Sequence, residues 1–183
     1  MCIRDSLKSL VGPNMEKRSA RDLTGNEFDE IVELYIHCFN DEEKGENWTR
    51  VSASQYFEDR CAEESVFYIA KRPEDHLAGV IVASPYEKSF ISKEIVSEWA
   101  SAFYISLVAV DRSARKQGTA NQLLEFFLGD MRQSEIEDAI VRCRSENLPV
   151  QGLFAKHGFA EILEYESTLG GVTCVRKVLH RKV

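Results

Sequence analysis

The sequence lacks any long apolar run. Its longest apolar stretches are Leu77–Ser84 and Tyr104–Val110, whereas a helix that crosses a membrane needs roughly 18 apolar residues. No apolar stretch followed by small residues occurs near the amino terminus, so a secretory signal is not indicated. We therefore expect a soluble protein and take the cytoplasm as its compartment.

The cysteine patterns of disulfide frameworks and zinc sites are also missing. The five cysteines are odd in number and widely spaced, and the chain contains neither a CxxC nor an HExxH pattern. Disulfide-rich domains and zinc sites depend on regular spacing of this kind. We expect no disulfide framework and no bound metal.

Basic residues are fewer than acidic ones. The chain has 23 Lys and Arg against 30 Asp and Glu, which gives a net charge of −7 at pH 7. A protein of this charge repels phosphate backbones and anionic lipids on average. We therefore expect neither nucleic acid nor membrane as a partner, and the sequence carries no information on oligomeric state.

Length and composition indicate one globular domain. The chain has 183 residues, of which 44% are hydrophobic and 29% charged, an ordinary balance for a domain of about 100–200 residues. Met1–Ser6 stands apart, because it resembles the translation of a transposon end used in preparing sequencing libraries. We expect residues 1–14 to be a non-native or disordered extension and residues 15–183 to form the domain.

Apolar residues at steps of three and four predict amphipathic helices. Helices are predicted at Phe28–Phe39, Ser54–Ala62, Gly118–Met131 and Pro149–Lys156. Asn26 is the expected N-cap of the first helix, and Ser52 with Gln55 has the spacing of a capping box for the second. Gly158 is expected to end the last helix.

Short β-rich runs between these helices predict strands. They are Val66–Ala70, Leu77–Ser84, Ala102–Val110, Ala139–Arg144, Ala160–Tyr165 and Val172–Leu179, after a strand-like stretch that follows Met15. The turn-forming residues between the first two runs predict an antiparallel pair, and Leu169–Gly171 predicts a terminal hairpin. The segment Pro85–Ser101 is ambiguous. The order of elements indicates a mixed α/β domain.

The most informative segment is Leu107–Leu124, a predicted strand that turns into the start of the strongest helix. The free N–H groups of a helix's first turn favour an anion. Gly118 allows close approach of the backbone, and Arg115 and Lys116 add positive charge, so a pyrophosphate would fit. The alternative is that Gly118 only eases a turn and that both basic side chains are solvated. The Walker and Rossmann glycine patterns are absent.

The turn also carries a recognisable motif, (Q/R)-x-x-G-x-(G/A). It occurs as Arg115, Lys116, Gln117, Gly118, Thr119 and Ala120. With the strand before it, Asn147, and the segment Gly152–Phe159, the sequence resembles the GNAT superfamily of N-acetyltransferases. The resemblance implies a central mixed, mostly antiparallel sheet flanked by helices, with splayed fourth and fifth strands, Ala102–Val110 and Ala139–Arg144.

The resemblance further implies acetyl-coenzyme A as co-substrate and a set of residues that bind it. The pantetheine arm would run along Val108, Ala109 and Val110, the pyrophosphate would meet Arg115 and the amides of Lys116, Gln117, Gly118, Thr119 and Ala120, and Asn147 and Phe154 would complete the site. Asn147 would hydrogen-bond the pantetheine amide. Its alternative role is to cap the helix that starts near Pro149.

The residues that would carry acyl transfer are less clearly marked. Tyr104, Ser106 and Glu146 are candidates for the base, whereas His157 fits better as a surface residue near a helix C-terminus. The family often has a tyrosine as general acid where this chain has Phe154, which cannot donate a proton.

The resulting hypothesis is an acetyl-coenzyme A-dependent N-acetyltransferase in which a primary amine attacks the thioester directly. One alternative is a catalytically silent coenzyme-binding or sensing module, and another is an acetyltransferase acting on protein N-termini or lysines. The net charge favours a small acceptor, such as a polyamine, an amino acid or an aminoglycoside-like amine. The resemblance places an acidic loop at the border of the acceptor cleft, where it would attract a cationic amine; the alternative is that this loop is only solvated. Its residues are Asp41, Glu42, Glu43 and Glu46.

Overall fold

A computed structural model describes residues 12–40, 46–73, 75–95, 99, 101–169 and 172–183. Three parts of the sequence predictions lie outside these residues: residues 1–11 of the expected extension, residues 41–45 of the acidic loop, and residues 170–171 of the hairpin turn. The helices are α1 Gly25–Phe39, α2 Arg50–Ala62, α3 Ile91–Glu94, α4 Thr119–Gln133 and α5 Leu148–Lys156. The strands are β1 Asn14–Ser19, β2 Val66–Lys71, β3 Leu77–Pro85, β4 Ala102–Val110, β5 Asp138–Arg144, β6 Ala160–Leu169 and β7 Val172–Lys182.

The strands form one seven-stranded sheet in the order β1-β2-β3-β4-β5-β7-β6. Every neighbouring pair is antiparallel except β4 and β5, which are parallel. Helix α4 makes the connection between these two strands, as a parallel crossover requires. The prediction of a mixed, mostly antiparallel sheet flanked by helices is confirmed.

Each face of the sheet is covered by different helices. On one face, called here the α1 face, Ile31 and Phe57 of α1 and α2 pack against Phe67 and Leu107 of the sheet. On the opposite face, the α4 face, residues of α4 pack against a separate set of strand residues that includes Ile105. All five side chains are buried, so the sheet is the middle of three layers.

Strands β4 and β5 separate part of the way along their length. Their pairing joins Ala102–Ile105 to Asp138–Val141 and extends no further. At the same point the register between β3 and β4 shifts, because Val82 pairs with Leu107 and Ala83 with Ile105. Ser106 is therefore the extra residue of a β-bulge, and a bulge bends its strand. The expected splay of the fourth and fifth strands is confirmed.

The bulge also changes which side chains reach each face. Ile105 belongs to the core of the α4 face, and two residues later Leu107 belongs to the core of the α1 face. Regular alternation would have placed both on the same face. The inserted Ser106 accounts for this change.

The two predicted helix starts are wrong in detail. Thr24, not Asn26, caps α1 in a reciprocal capping box with Glu27, and Asn26 instead donates to Glu30 at 2.6 Å. Helix α2 begins at Arg50, four residues before the prediction, and its capping box pairs Thr49 with Ser52. In both cases an earlier threonine competes successfully for the N-cap.

Helix α5 ends in a Schellman motif. Gly158 has φ +78°, its N–H donates to Ala155 at 3.0 Å, and the N–H of Phe159 donates to Phe154 at 3.1 Å. The rings of Phe154 and Phe159 meet edge to face at 4.9 Å, which is the apolar contact that accompanies this motif. The prediction that Gly158 ends the helix is confirmed.

Two glycines of this region are expected to respond oppositely to alanine. Gly158→Ala forces a side chain into left-handed backbone and should lower the free energy of unfolding by about 1 kcal/mol. Gly152 lies within α5 with no atom within 4 Å of an added Cβ, so Gly152→Ala should raise it by about 0.5–1 kcal/mol. Urea unfolding of both variants measures these changes, and equal effects would contradict the assigned end of α5.

Candidate functional site

A cleft of about 750 Å³ opens where β4 and β5 separate. It is lined from the α1 face by residues such as Tyr56 and Arg144, and from the α4 face by residues such as Cys143 and Phe154. In a continuous sheet, the lining residues of the α1 face and those of the α4 face would lie on opposite sides and could not border one cleft. The cleft therefore passes through the sheet at the splay.

The backbone of β4 is unpaired along one edge of this cleft. The N–H of Asp111 donates to Ala78 of β3 at 2.9 Å. Because N–H and C=O groups alternate in direction along a strand, those of Val108 and Val110 point away from β3, toward the gap left by β5. The carbonyl of Val110 accepts a hydrogen bond from Arg115 Nε at 3.0 Å. The polar backbone of Val108 is available to a strand-like ligand.

The first turn of α4 follows directly from this edge. Its N-cap, Gly118, is left-handed with φ +85° and ψ −1°, and no side chain caps the helix. No atom lies within 4 Å of a Cβ built on Gly118. The buried Thr119 side chain holds the turn in place, since its hydroxyl donates to the carbonyl of Ala114 at 3.2 Å. An uncapped first turn with open space above it suits an anion.

The side chains of the predicted anion-binding turn have mixed surroundings. Arg115 contacts both β4 and α1, because its Nε donates to Val110 and its guanidinium lies 3.5 Å from Cys38 Sγ. Burial raises the pKa of that thiol. Gln117 donates to the carbonyl of Ser113 at 2.8 Å. Lys116 is exposed, and its φ of +62° is left-handed. The basic side chains of Arg115 and Lys116 thus lie beside the turn, and the backbone amides form the turn itself.

Asn147 and Phe154 both line the cleft. The Asn147 side chain caps α5 by accepting from Val150 N–H at 3.3 Å, so the alternative role expected for this residue is present. Its amide nitrogen makes no hydrogen bond to the described part of the chain. Phe154 is wholly buried, and its place in the Schellman motif gives it a packing role.

The three candidates for the base also line the cleft. Burial raises the pKa of Tyr104 above its ordinary value. The Ser106 hydroxyl donates to the carbonyl of Val82 at 3.2 Å. Glu146 is exposed, and a hydrogen bond from its own backbone N–H, together with Arg144, lowers the pKa of its carboxyl. Of the three, Glu146 is thus the ionised group at neutral pH.

His157 lies elsewhere. Its Nε2 is 3.2 Å from Asn121 Oδ1, and its carbonyl accepts a hydrogen bond from Arg181. It is absent from the cleft lining. These contacts join the end of α5 to α4 and to β7, in agreement with its expected place near a helix C-terminus.

Four aromatic side chains form one wall of the cleft, and the sequence analysis did not single them out. This aromatic wall consists of Tyr35, Phe39, Trp48 and Tyr56. The ring of Tyr35 lies 4.8 Å from that of Phe39, 4.8 Å from that of Trp48 and 5.0 Å from that of Tyr56. Tyr35 and Phe39 are four residues apart on the apolar stripe of α1, a pattern that is equally typical of core.

Three arginines on the α1 face also line the cleft and were missed. They are Arg142, Arg144 and Arg176. Arg144 contacts Glu46 at 2.6 Å and Glu146 at 3.6 Å. Glu46 is the described member of the acidic loop expected to attract a cation, and Arg144 already neutralises its carboxylate. A signal was present in the sequence, because Arg142 and Arg144 alternate with apolar residues at the end of β5.

The described residues contain no group of three or more His, Cys, Asp or Glu placed to hold a metal ion. None of the helices in the described part of the chain is long and apolar enough to span a membrane.

Comparison with solved structures places this fold among acetyltransferases. It matches a proposed phosphinothricin N-acetyltransferase (18% identity, 93% of this chain and 99% of that one, TM-score 0.68). It also matches the ribosomal-protein-S18-alanine N-acetyltransferase of Escherichia coli (12% identity, 92% of this chain and 94% of that one, TM-score 0.66). A third match is the NatC complex bound to Gag peptide and CoA (15% identity, 94% of this chain and 99% of that one, TM-score 0.69).

At these identities the structural matches establish the fold alone. No curated protein sequence matches the chain. The model of the Acetyltransferase (GNAT) family, however, matches residues 28–159, which include β4, the uncapped start of α4, β5 and α5. With well over half of its length matched, this chain belongs to the GNAT family and is an acyltransferase.

Proposed function

We propose that this protein transfers an acetyl group from acetyl-coenzyme A to a primary amine. The observation that carries the proposal is the cleft through the sheet, bordered by the unpaired backbone of Val108 in β4. The uncapped start of α4 follows further along the chain, beyond the end of that strand. Acetyl-coenzyme A supplies the reactive thioester when bound. The first turn of α4 fits its pyrophosphate, because Gly118 leaves space and the helix N–H groups lack a side-chain partner.

The proposed binding residues act mostly through their backbone. Val108, Ala109 and Val110 provide a strand edge for the pantetheine arm. Arg115 and the amides of Lys116, Gln117, Gly118, Thr119 and Ala120 hold the pyrophosphate. The amide nitrogen of Asn147 is free to donate to a carbonyl of the arm, even though its oxygen caps α5. Phe154 supplies an apolar surface beside the arm.

The proposed reaction is direct attack by the amine. The new bond forms between the amine nitrogen and the acetyl carbon, the carbon–sulfur bond breaks, and the electron pair leaves on sulfur. The N–H of Val108 can polarise the acetyl carbonyl. An alkylamine has a pKa near 10.4, so its proton must be accepted, and Glu146 is the ionised candidate. Tyr104, whose pKa is raised, and Ser106 keep their protons and serve as donors or relays.

Departure of the sulfur does not need an acid at Phe154. A thiol with a pKa near 8.5 leaves adequately as the thiolate. The buried ring of Phe154 nevertheless supports a second candidate function, a module that binds the coenzyme without turnover, because no proton donor stands at this position.

A small amine is the proposed acceptor, and the cytoplasm the proposed compartment. The cleft has about 750 Å³, within the range of small-molecule pockets, and the pantetheine arm proposed along Val108 takes part of that volume. A protein N-terminus is the alternative acceptor, supported by a structural relative that acts on an alanine of ribosomal protein S18.

Removal of the pyrophosphate contacts tests coenzyme binding. Arg115→Glu places a negative charge beside the phosphates, and Gly118→Val puts a branched side chain above the helix start. Each should weaken coenzyme A binding by at least about tenfold, or about 1.4 kcal/mol. Isothermal titration calorimetry measures the effect. Arg112→Glu is the matched control, because Arg112 is exposed on the same turn. This variant should bind coenzyme A with the affinity of the parent. Unchanged affinity in folded Arg115→Glu and Gly118→Val would refute the site.

Substitution of Phe154 separates the enzyme from the silent module. If sulfur leaves as the thiolate, Phe154→Tyr should change the maximal rate by less than about tenfold, under about 1.4 kcal/mol of barrier. A thiol-release assay with a panel of amines across the pH range measures this. Coenzyme binding without parental turnover, with turnover appearing only in Phe154→Tyr, would instead establish the silent module.

A further inference from the structure

Three arginines of the cleft lining extend from the α1 face of the sheet, Arg142, Arg144 and Arg176. Arg144 of β5 pairs in register with Arg176 of β7, so the two side chains leave the sheet on the same face. Arg142 precedes Arg144 by two residues and shares that face. Three cations packed together repel one another unless anions are present.

Two of these arginines have their anions within the described chain. Arg142 donates to Glu94 at 2.6 Å and to the Tyr165 hydroxyl at 3.1 Å. Arg144 contacts both carboxylates of the cleft lining, Glu46 at 2.6 Å and Glu146 at 3.6 Å. The described lining thus holds three arginines and two glutamates, and both glutamates are engaged by Arg144.

Arg176 is different. It forms no ion pair with any residue that the structure describes, and its Nε is buried without a hydrogen-bond partner. Buried donors are normally satisfied, because an unmade hydrogen bond costs the desolvation of the group. An arginine of this kind in a cleft lining is suited to an anionic group of a ligand, and its planar fork matches a carboxylate.

The position of Arg176 separates it from the proposed coenzyme site. The pyrophosphate turn precedes α4, the helix that covers the α4 face, and Phe154 belongs to the core of that face. Arg176 lies on the α1 face, where Tyr35, a member of the aromatic wall, packs. A ligand anion that meets Arg176 would therefore lie on the α1 face, the side opposite the coenzyme, and we assign it to the acceptor.

We infer that the acceptor is an α-amino acid with an apolar side chain, whose carboxylate is held by Arg176. This inference rests on the proposed function and names its substrate class. The carboxylate pairs with the terminal Nη groups of the Arg176 guanidinium, which are not enclosed as its Nε is. The apolar side chain packs against the aromatic wall, and the amine is left to face the acetyl group. A residue at a protein N-terminus has a neutral amide in place of this carboxylate, so the same contact selects free amino acids over peptides.

The test compares amino acids with their amides. Thiol release from acetyl-coenzyme A is measured with L-leucine and L-phenylalanine and with leucinamide and phenylalaninamide, which keep the amine and side chain but lack the charge. The parent should prefer each acid by at least about tenfold in kcat/KM. Arg176→Gln should lower kcat/KM for the acids at least about tenfold, mainly through KM, and leave the amides within about twofold. Arg176→Lys, which retains the charge, should recover part of the loss.

Lys177→Gln is the matched control. Lys177 adjoins Arg176 on β7 but points to the other face, where it pairs with Glu161 at 2.8 Å. Removing its charge should leave acids and amides unchanged. Calorimetric titration with coenzyme A should give the parent affinity for all of these variants.

A second readout keeps the substrate class testable apart from turnover. L-Leucine and leucinamide are titrated calorimetrically into the complex with coenzyme A. Leucine binding that is lost in Arg176→Gln, without turnover of any amine, would support the carboxylate site and overturn the proposed acetyl transfer. Turnover of amides equal to that of acids would overturn the carboxylate site and leave acetyl transfer standing. Failure of both L-leucine and L-phenylalanine to bind or react would also overturn the carboxylate site.

Discussion

The structure depends on the point at which β4 and β5 stop pairing. Parallel strands normally satisfy each other's backbone groups along their shared length, but here the ladder ends at Ile105 and Val141. The bulge at Ser106 bends β4 away and changes the face to which the following side chains point. Val108 is left with polar backbone groups facing a gap, whereas the carbonyl of Val110 accepts from Arg115. The gap is both a deficit of hydrogen bonds and the opening of the cleft.

That one opening lets two chemically different surfaces meet. On the α4 face Phe154 lines the opening, and the uncapped helix start follows β4 outside this lining. Together they offer a surface for an extended chain and a phosphate group. From the α1 face it receives the aromatic wall and the arginines of β5 and β7. Neither surface could reach the other across an intact sheet. The two substrates of an acyl transfer can therefore approach from opposite faces, and the reacting atoms can meet between β4 and β5.

The sequence predicted the regular parts of this arrangement for identifiable reasons. Helix α4 and the buried strands have clear periodicity, which depends only on nearby residues. The splay followed from a family resemblance carried by the motif around Gly118. The helix starts were wrong because several neighbouring residues can cap a helix, and only the folded backbone selects Thr24 and Thr49.

The rest of the site depends on contacts between distant segments. The wall joins Tyr35 of α1 to Trp48 and to Tyr56 of α2, and periodicity cannot distinguish a buried aromatic from one that lines a cleft. The pairing of Arg144 with Arg176 joins two strands through a register that the sequence does not state.

Amide hydrogen exchange resolved by residue tests the central claim most directly. In the free protein the N–H of Val108 should exchange much faster than that of its neighbour Ala109, which points toward β3. Saturating coenzyme A should slow exchange at Val108 by at least about tenfold and leave Ala109 unchanged. Equal protection of the two amides in the free protein, or no change at Val108 on binding, would contradict the account of an open strand edge filled by the coenzyme.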